Sequence, residues 1–279
     1  HHRQFVESES LQGQLEHTDS EGARVVVDYA GNLVLELKIP YKIVTRKARE
    51  DHYVDSANWP PNLLDEEQIE GPVESLRLAL LLAGISERST VVPVWRVIID
   101  PLHNGEIIGY GRPRTTIMPT PARLNLAQIN DWTIWTNRVT QGRTKQVSVG
   151  IRRLLRAITE IKVSEDTLID AVIVWENLFG AAQETTLRVT HSVAWVLGAD
   201  GSERSKLVTE CKDIYKQRSN VVHGNASINR SVTDKYAIRA IEISTQLLRA
   251  MFESRHDLLA MKSGVDRSAA VMLDAPTGK

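Results

Sequence analysis

Between Tyr215 and Gly224 the chain reads Tyr-Lys-Gln-Arg-Ser-Asn-Val-Val-His-Gly, joining a permanent cation, Arg218, to a titratable imidazole, His223. At ~100° per residue, Leu207, Cys211, Ile214 and Arg218 fall on one stripe of a helix, so Arg218 points where apolar side chains point. An unpaired charge in such a place is costly, and the guanidinium therefore requires an anion. His223 stands one residue before Gly224, the kind of residue that ends a helix. Cutting RNA without a metal needs a proton taken from the 2′-OH, a proton given to the 5′-oxygen, and charge stabilisation of a crowded phosphate. Histidine, with an unperturbed pKa of roughly 6.5, can do either proton job. Arginine presents a planar, always-charged fork that matches phosphate oxygens. The two together are the minimum set for a metal-independent ribonuclease acting through a 2′,3′-cyclic phosphate and sparing DNA, which lacks the 2′-OH.

Five residues carry an ideal helix ~140° past a full turn, so Arg218 and His223 do not share a face, whereas Ser219 and His223 do. Either the last turn tightens or unwinds before Gly224, or two copies pack so that paired motifs build one cleft. In the bland alternative, Arg218 is a buried ion-paired arginine, His223 only terminates a helix, and neither does chemistry. Around them, Tyr215 and Lys216 are candidates to contact substrate, although Lys216 also reads as an ordinary exposed charge. Ser219 can orient the histidine or a phosphate, and Asn220 can contact a base or phosphate. Glu176 and Arg188 are a candidate buried pair, either with each other or from Glu176 to Arg218. His191 reads as a packed core histidine, and Trp132 and Trp135 as core or interface tryptophans rather than base-stacking platforms.

Every element expected to position these residues is helical. Beyond Leu124 the periodicity predicts helices over 127–139, 167–180, 185–197, 203–223 and 231–254, and Ser231-Val-Thr-Asp234 reads as a capping box with a shortened acid. Arg152, Arg153, Arg156 and Lys162 make one helix basic, most simply as a solvated face. Four or five helices with short links predict an antiparallel bundle over 124–262, followed by a disordered Gly/Ser/Ala/Pro tail at 263–279.

The first half reads differently. Residues 1–22 are polar and form a flexible lead-in or tag remnant, since the chain opens His1-His2-Arg3 without a methionine. Residues 23–123 read as a small mixed, strand-rich recognition or regulatory domain. Arg24–Asp28 and Leu33–Ile39 flank Ala30-Gly-Asn32 as one hairpin, and Val91–Asp100 and Glu106–Tyr110 flank Asn104-Gly105 as a second. Residues 51–72 read as a loop and 72–83 as a short greasy helix within this domain. The prolines at 113, 119 and 121 mark the boundary before the bundle. The fold class is α+β, a strand-rich domain followed by an all-α bundle.

The segment from about Ile151 to Phe252 resembles a HEPN domain of the ApeA-like branch. The likeness rests on Arg153-Leu-Leu-Arg-Ala157 with Leu168-Ile169-Asp170, Trp175-Glu176-Asn-Leu-Phe179, Leu187-Arg188 through Leu197-Gly198, and Tyr215 to Gly224. The last stretch matches the family's R-x4-6-H signature in its four-residue-gap form. The resemblance implies an antiparallel HEPN bundle and an endoribonuclease with Arg218 and His223 as catalytic pair. It also implies a homodimer with motifs facing across the two-fold interface, and a role in prokaryotic antiviral defence or toxin-like growth arrest. A phage or regulatory partner would then meet the N-terminal domain. The rival within the same family is a non-catalytic dimerisation or nucleic-acid-binding module. Two positions depart from the pattern. Ser219 stands where catalytic members often carry Asn, Asp or His, and Lys216 where an aspartate tends to follow the tyrosine.

Bulk properties narrow the field. Hydrophobic content of 42% and charged content of 25% are those of a water-soluble globular chain. No run reaches the ~18 apolar residues of a membrane span and no signal peptide is visible. A net charge of −1 argues against indiscriminate nucleic-acid coating but not against a small basic cleft. The lone cysteine, Cys211, excludes an internal disulfide and fits a reducing cytoplasm; its stripe makes it a small packing group. Asp51-His52 and His103 lack metal-ligand spacing, and Gly109-Tyr-Gly111 lacks the strand–glycine–helix context of a nucleotide fold. No metal and no cofactor is expected.

Overall fold

The computed structural model describes residues 66–84, 90, 124–159, 163–224 and 229–273, and the backbone of four short strands. It divides into two compact units, residues 1–73 with 93–113 and residues 74–92 with 114–279.

In the first unit, β1 (Phe5–Glu7) pairs antiparallel with β2 (Leu33–Leu35), and β3 (Arg96–Ile99) with β4 (Ile107–Tyr110). The second pair is the expected hairpin, with Arg96 opposite Tyr110 and Ile99 opposite Ile107; its Asn104-Gly105 turn lies outside the described residues. The first pair differs from expectation. Leu33–Leu35 is a strand, but its partner is Phe5–Glu7, from the stretch read as a lead-in. Phe5-Val6 is a short β-forming run that polar surroundings disguise. Arg24–Asp28 lies outside the described residues.

The second unit is an all-α bundle among its described residues. It holds the end of α1 (Glu66–Leu82), then α2 (Leu126–Gly142), α3 (Lys145–Thr159), α4 (Ser164–Phe179) and α5 (Thr185–Leu197). It continues with α6 (Gly201–Val222), α7 (Arg230–Glu253), α8 (His256–Ala260) and α9 (Gly264–Leu273). The helix expected at 72–83 begins earlier, at Glu66, and runs through Pro72. From Glu74 on it belongs to the bundle rather than to the strand-rich unit. Leu78, Leu81 and Leu82 are buried there, the Trp132 indole N–H donates to the Leu76 carbonyl at 3.0 Å, and Arg143 grips Glu74 at 2.5 Å. Leucines on such a helix need a partner surface, and the bundle supplies it.

At the centre lies α4, which packs against α3, α5, α6, α7 and α9. Leu168, Val172, Trp175, Leu178 and Phe179 are fully buried, each contributing about 1.5–3 kcal/mol relative to exposure. The Trp175 indole N–H donates to Ser244 Oγ on α7 at 2.9 Å. Asn177 reaches into α3, where its carboxamide accepts from the Gly150 N–H at 3.0 Å and donates to the Gln146 carbonyl at 3.1 Å. A Cβ at Gly150 would come within 2.9 Å of that oxygen, so the close approach requires glycine. Cys211 is fully buried, and burial, then the neighbouring Glu210 charge, push its thiol up to about 12, opposed by Arg239. It is a packing group, as its stripe implies.

Two local expectations are corrected. The cap of α7 is Asn229, whose side chain accepts from the N–H groups of Ser231 and Val232. Asp234 of the supposed capping box instead takes the Ser164 hydroxyl. Within the segment read as a disordered tail, residues 264–273 form α9. Its Arg267 is only 1% exposed and donates to the carbonyls of Leu178 (2.7 Å), Met261 (2.9 Å) and Asn177 (3.0 Å). Two of these are last-turn carbonyls of α4, which have no partner inside their own helix. The fork of a guanidinium answers them, while burial lowers the Arg267 pKa from its ordinary value.

Arg267→Ala strands three carbonyls at about 1–3 kcal/mol per unsatisfied buried group. The expected loss is therefore at least ~3 kcal/mol, read as a lower urea midpoint. Arg267→Lys should recover only part of it. A wild-type midpoint for the alanine variant would show that α9 does not hold the end of α4.

Candidate active site

The sixth helix starts cleanly. Asp200 caps it by accepting from the Glu203 N–H at 2.9 Å, and the Glu203 carboxylate accepts from the Ala199 N–H in return at 2.9 Å. One residue further on, Arg204 stacks 4.1 Å from the Trp195 ring centroid and donates to the Gly198 carbonyl, tying α5 to α6. From there the apolar stripe runs inward as expected, with Cys211 and Ile214 fully buried and Tyr215 nearly so.

Arg218 continues that stripe and meets the anion it requires. Its Nη2 lies 3.4 Å from Glu176 Oε2 on α4, both side chains being 24% exposed. Tyr215 donates its hydroxyl to the other oxygen, Oε1, so one carboxylate answers two groups of α6. Burial first, then the Glu176 bond and charge, raise the Tyr215 pKa from its ordinary 10.0; Arg218 and Thr186 oppose them. The Arg218 guanidinium carbon sits 5.9 Å from the Tyr215 ring centroid. Its Nε is buried and has no hydrogen-bond partner. The arginine is therefore anchored at one loose contact, with donor capacity left over.

The pairing settles an open choice. Glu176 pairs with Arg218 and not with Arg188, which is half-buried and makes no ion pair among the described residues. His191 is half-buried rather than a core residue, and its Nδ1 sits 2.9 Å from the Leu187 carbonyl. A carbonyl only accepts, so that nitrogen carries a proton. Leu187 itself is 47% exposed. Trp132 and Trp135 are buried, with Arg138 and Arg249 over the Trp135 ring.

His223 caps the C-terminus of α6 and is exposed, with Val222 beside it 50% exposed. Its backbone N–H still bonds the Ser219 carbonyl at 3.0 Å, a regular helical step, and tightening comes only at Gly224, whose N–H reaches Val221. Gly224 adopts φ +67°, a conformation that favours glycine. The backbone thus leaves the offset between Arg218 and His223 in place. Within one chain, then, Arg218 joins Glu176 and Tyr215, while His223 stands exposed at the helix end. Lys216 is exposed; Ser219 and Asn220 are half-buried.

One contributor escaped the sequence reading. Asp170, noted only as part of the HEPN likeness, is 2% exposed and takes Arg153 at 2.8 Å and Arg156 at 3.4 Å; an acid amid buried Leu168, Ala171 and Val172 was the available sign. An open recess of about 550 Å³ lies elsewhere, lined by Ser205, Lys206, Thr209, Glu210, Asp213 and Tyr236, and includes none of the candidate residues. Among the described residues no group of three His, Cys, Asp or Glu side chains could hold a metal ion, and no helix is long and apolar enough to cross a membrane. Comparison with protein-family models, with curated proteins and with solved structures finds no match.

The tyrosine gives a pH signature. Above its ordinary pKa of 10.0 the unfolded chain releases the Tyr215 proton while the folded chain keeps it. Its contribution is thus whole below pH 10 and is lost as pH rises further, by up to about 1.4 kcal/mol per pH unit. The gap in unfolding free energy between wild type and Tyr215→Phe should narrow between pH 9 and 11. A gap constant across that range would mean that the hydroxyl does not feel Glu176.

Proposed function

We propose that the helical unit is a metal-independent endoribonuclease of the HEPN type, working as a homodimer. Arg218 binds the scissile phosphate and His223 moves protons. The observation that carries this reading is the state of the two side chains at the end of α6. Arg218 meets Glu176 through a single 3.4 Å contact while its side chain stays 24% exposed, and His223 is exposed at the helix cap. A part-exposed guanidinium with one weak contact still has N–H groups to offer an anion that arrives from outside.

Because one chain does not align the pair, the cleft requires a second copy. With two motifs facing, one His223 takes the 2′-OH proton and the oxygen attacks phosphorus. The histidine of the partner subunit protonates the departing 5′-oxygen. Both arginines balance the charge on the phosphate. The products are a 2′,3′-cyclic phosphate and a free 5′-hydroxyl. Exposed Val222 offers apolar surface at this end of the helix. Tyr215, Lys216, Ser219 and Asn220 line the approach, and Arg188 is a further cation on α5. The biological setting that fits is antiviral defence or growth arrest by RNA cleavage, with the strand-containing unit recognising a trigger.

A second reading has its own observation. The Glu176–Arg218 contact is also what a purely structural arginine would make, so a HEPN-type module that dimerises or holds nucleic acid without cutting fits the same pair.

Labelled RNA incubated with the full-length protein in EDTA separates the two. Cleavage should leave cyclic-phosphate ends, spare DNA of the same sequence, and fall by at least roughly 10²-fold in His223→Ala, the scale of a lost proton-transfer group. Arg218→Ala should fall comparably, with Arg218→Lys between. A folded dimer that never cuts RNA, whatever activator is tried, would leave the non-catalytic module.

A further inference from the structure

We propose that the exposed face of α3 is a docking track for the phosphodiester backbone of single-stranded RNA, the identity of the ligand resting on the ribonuclease reading above. The helix carries Lys145, Arg152, Arg153 and Arg156 and no acidic residue. At ~100° per residue these four fall within about 100° of arc. The opposite side is apolar and buried, through Val147, Ile151, Leu154 and Leu155. Lys145, Arg152 and Arg156 are exposed, and at ~1.5 Å per residue they mark out a ridge about 16 Å long.

The charge balance of this ridge is unusual. Asp170, buried on α4, is a single carboxylate facing two guanidiniums, with Arg153 Nη1 at 2.8 Å from one oxygen and Arg156 Nε at 3.4 Å from the other. Both arginines remain 38% and 48% exposed. Arg153 is hydrogen-bonded to that carboxylate, whereas Arg156 faces Oδ2 through charge alone, that oxygen having no hydrogen-bond partner; one negative charge against two part-exposed guanidiniums leaves the pair net positive. A guanidinium already held, as that of Arg153 is, loses less freedom when it binds a phosphate. Arg152, between them and Lys145, has no ion-pair partner among the described residues. The result is a net positive, partly pre-ordered ridge on a chain of net charge −1.

Of polyanions, the ridge suits a strand better than a lipid surface. Interfacial helices bury Trp, Phe or Leu into the acyl boundary, and the large apolar side chain exposed on α3 is Val149. Three or so phosphate contacts give weak, salt-sensitive binding, the behaviour expected of a feature that delivers RNA to a cleft instead of reading its sequence.

The test uses full-length protein carrying His223→Ala and a fluorescein-labelled single-stranded RNA, with anisotropy read across a potassium chloride series. Binding should fall with salt at a log–log slope of roughly −2, for about three contacts at ~0.7 each. Adding Arg152→Glu should weaken it roughly 5–10-fold at low salt and shrink the slope by about 0.7 or more. Arg152→Lys should stay near the parent, and circular dichroism melts confirm that each variant folds. An Arg152→Glu protein that folds and binds RNA with unchanged affinity and slope overturns the track. So does Arg152-dependent binding of phosphatidylserine vesicles without binding of RNA. If wild type cleaves RNA while Arg152→Glu changes nothing, the track alone falls. If RNA binds through Arg152 but wild type never cuts, the ribonuclease reading falls and the track remains.

Discussion

The bundle is organised by the enclosure of α4 among α3, α5, α6, α7 and α9. A helix packed on several sides buries more than apolar side chains; it carries in polar groups that water can no longer serve. Several find answers on neighbouring helices, while Glu165 Oε2 and Asp170 Oδ2 are buried without a hydrogen-bond partner. The Trp175 indole meets Ser244 on α7, the Asn177 carboxamide meets the backbone of α3, and the closing carbonyls meet Arg267 of α9. Asp170, 2% exposed, meets two arginines of α3. Apolar burial supplies most of the attraction at this centre. These polar contacts, each worth about 1 kcal/mol net when made and more when broken, fix which helix lies where.

The candidate site is the place where this enclosure ends. Glu176 sits between the buried Trp175 and the inward-facing Asn177, yet its carboxylate is about one-quarter exposed. It can therefore anchor Arg218 and Tyr215 without sealing them from solvent. Its carboxylate is held in turn by the last turn of α4, and that turn is held by Arg267 from the far end of the chain. Residues from α4, α6 and α9 thus bear on one guanidinium, and His223 lies exposed at the outer end of the same helix. The proposed chemistry would need something outside the chain to bring the anchored cation and the exposed imidazole together.

Much of the bundle was legible because helical periodicity is a local property. The stripe of Leu207, Cys211, Ile214 and Arg218 correctly implied a buried thiol and a cation in need of an anion, and α5 matches its expected limits. What misled was composition read without packing. Small residues at 263–273 looked like a tail, although small residues are what a helix needs to lie close to another: a Cβ at Gly264 would come within 2.7 Å of the Gly180 carbonyl. Ser231 and Asp234 had the spacing of a cap, but Asn229 lay better placed, and Asp234 found the Ser164 hydroxyl across the bundle. The leucines of α1 gave a helix but not its owner, since an apolar face does not state which surface will cover it.

Chain chemistry alone determined that an arginine and a histidine stand five positions apart at the close of an amphipathic helix, and that the arginine could not be left unpaired. Those are consequences of spacing and of the cost of burying charge. Tertiary structure decided which arginine that acid pairs. Arg188 and Arg218 were equally eligible as partners of Glu176; the packing of α4 against α6 brought the carboxylate to Arg218 and left Arg188 without an ion-pair partner among the described residues. Partner choice depends on distances between segments some forty residues apart, and no local pattern encodes a distance of that kind.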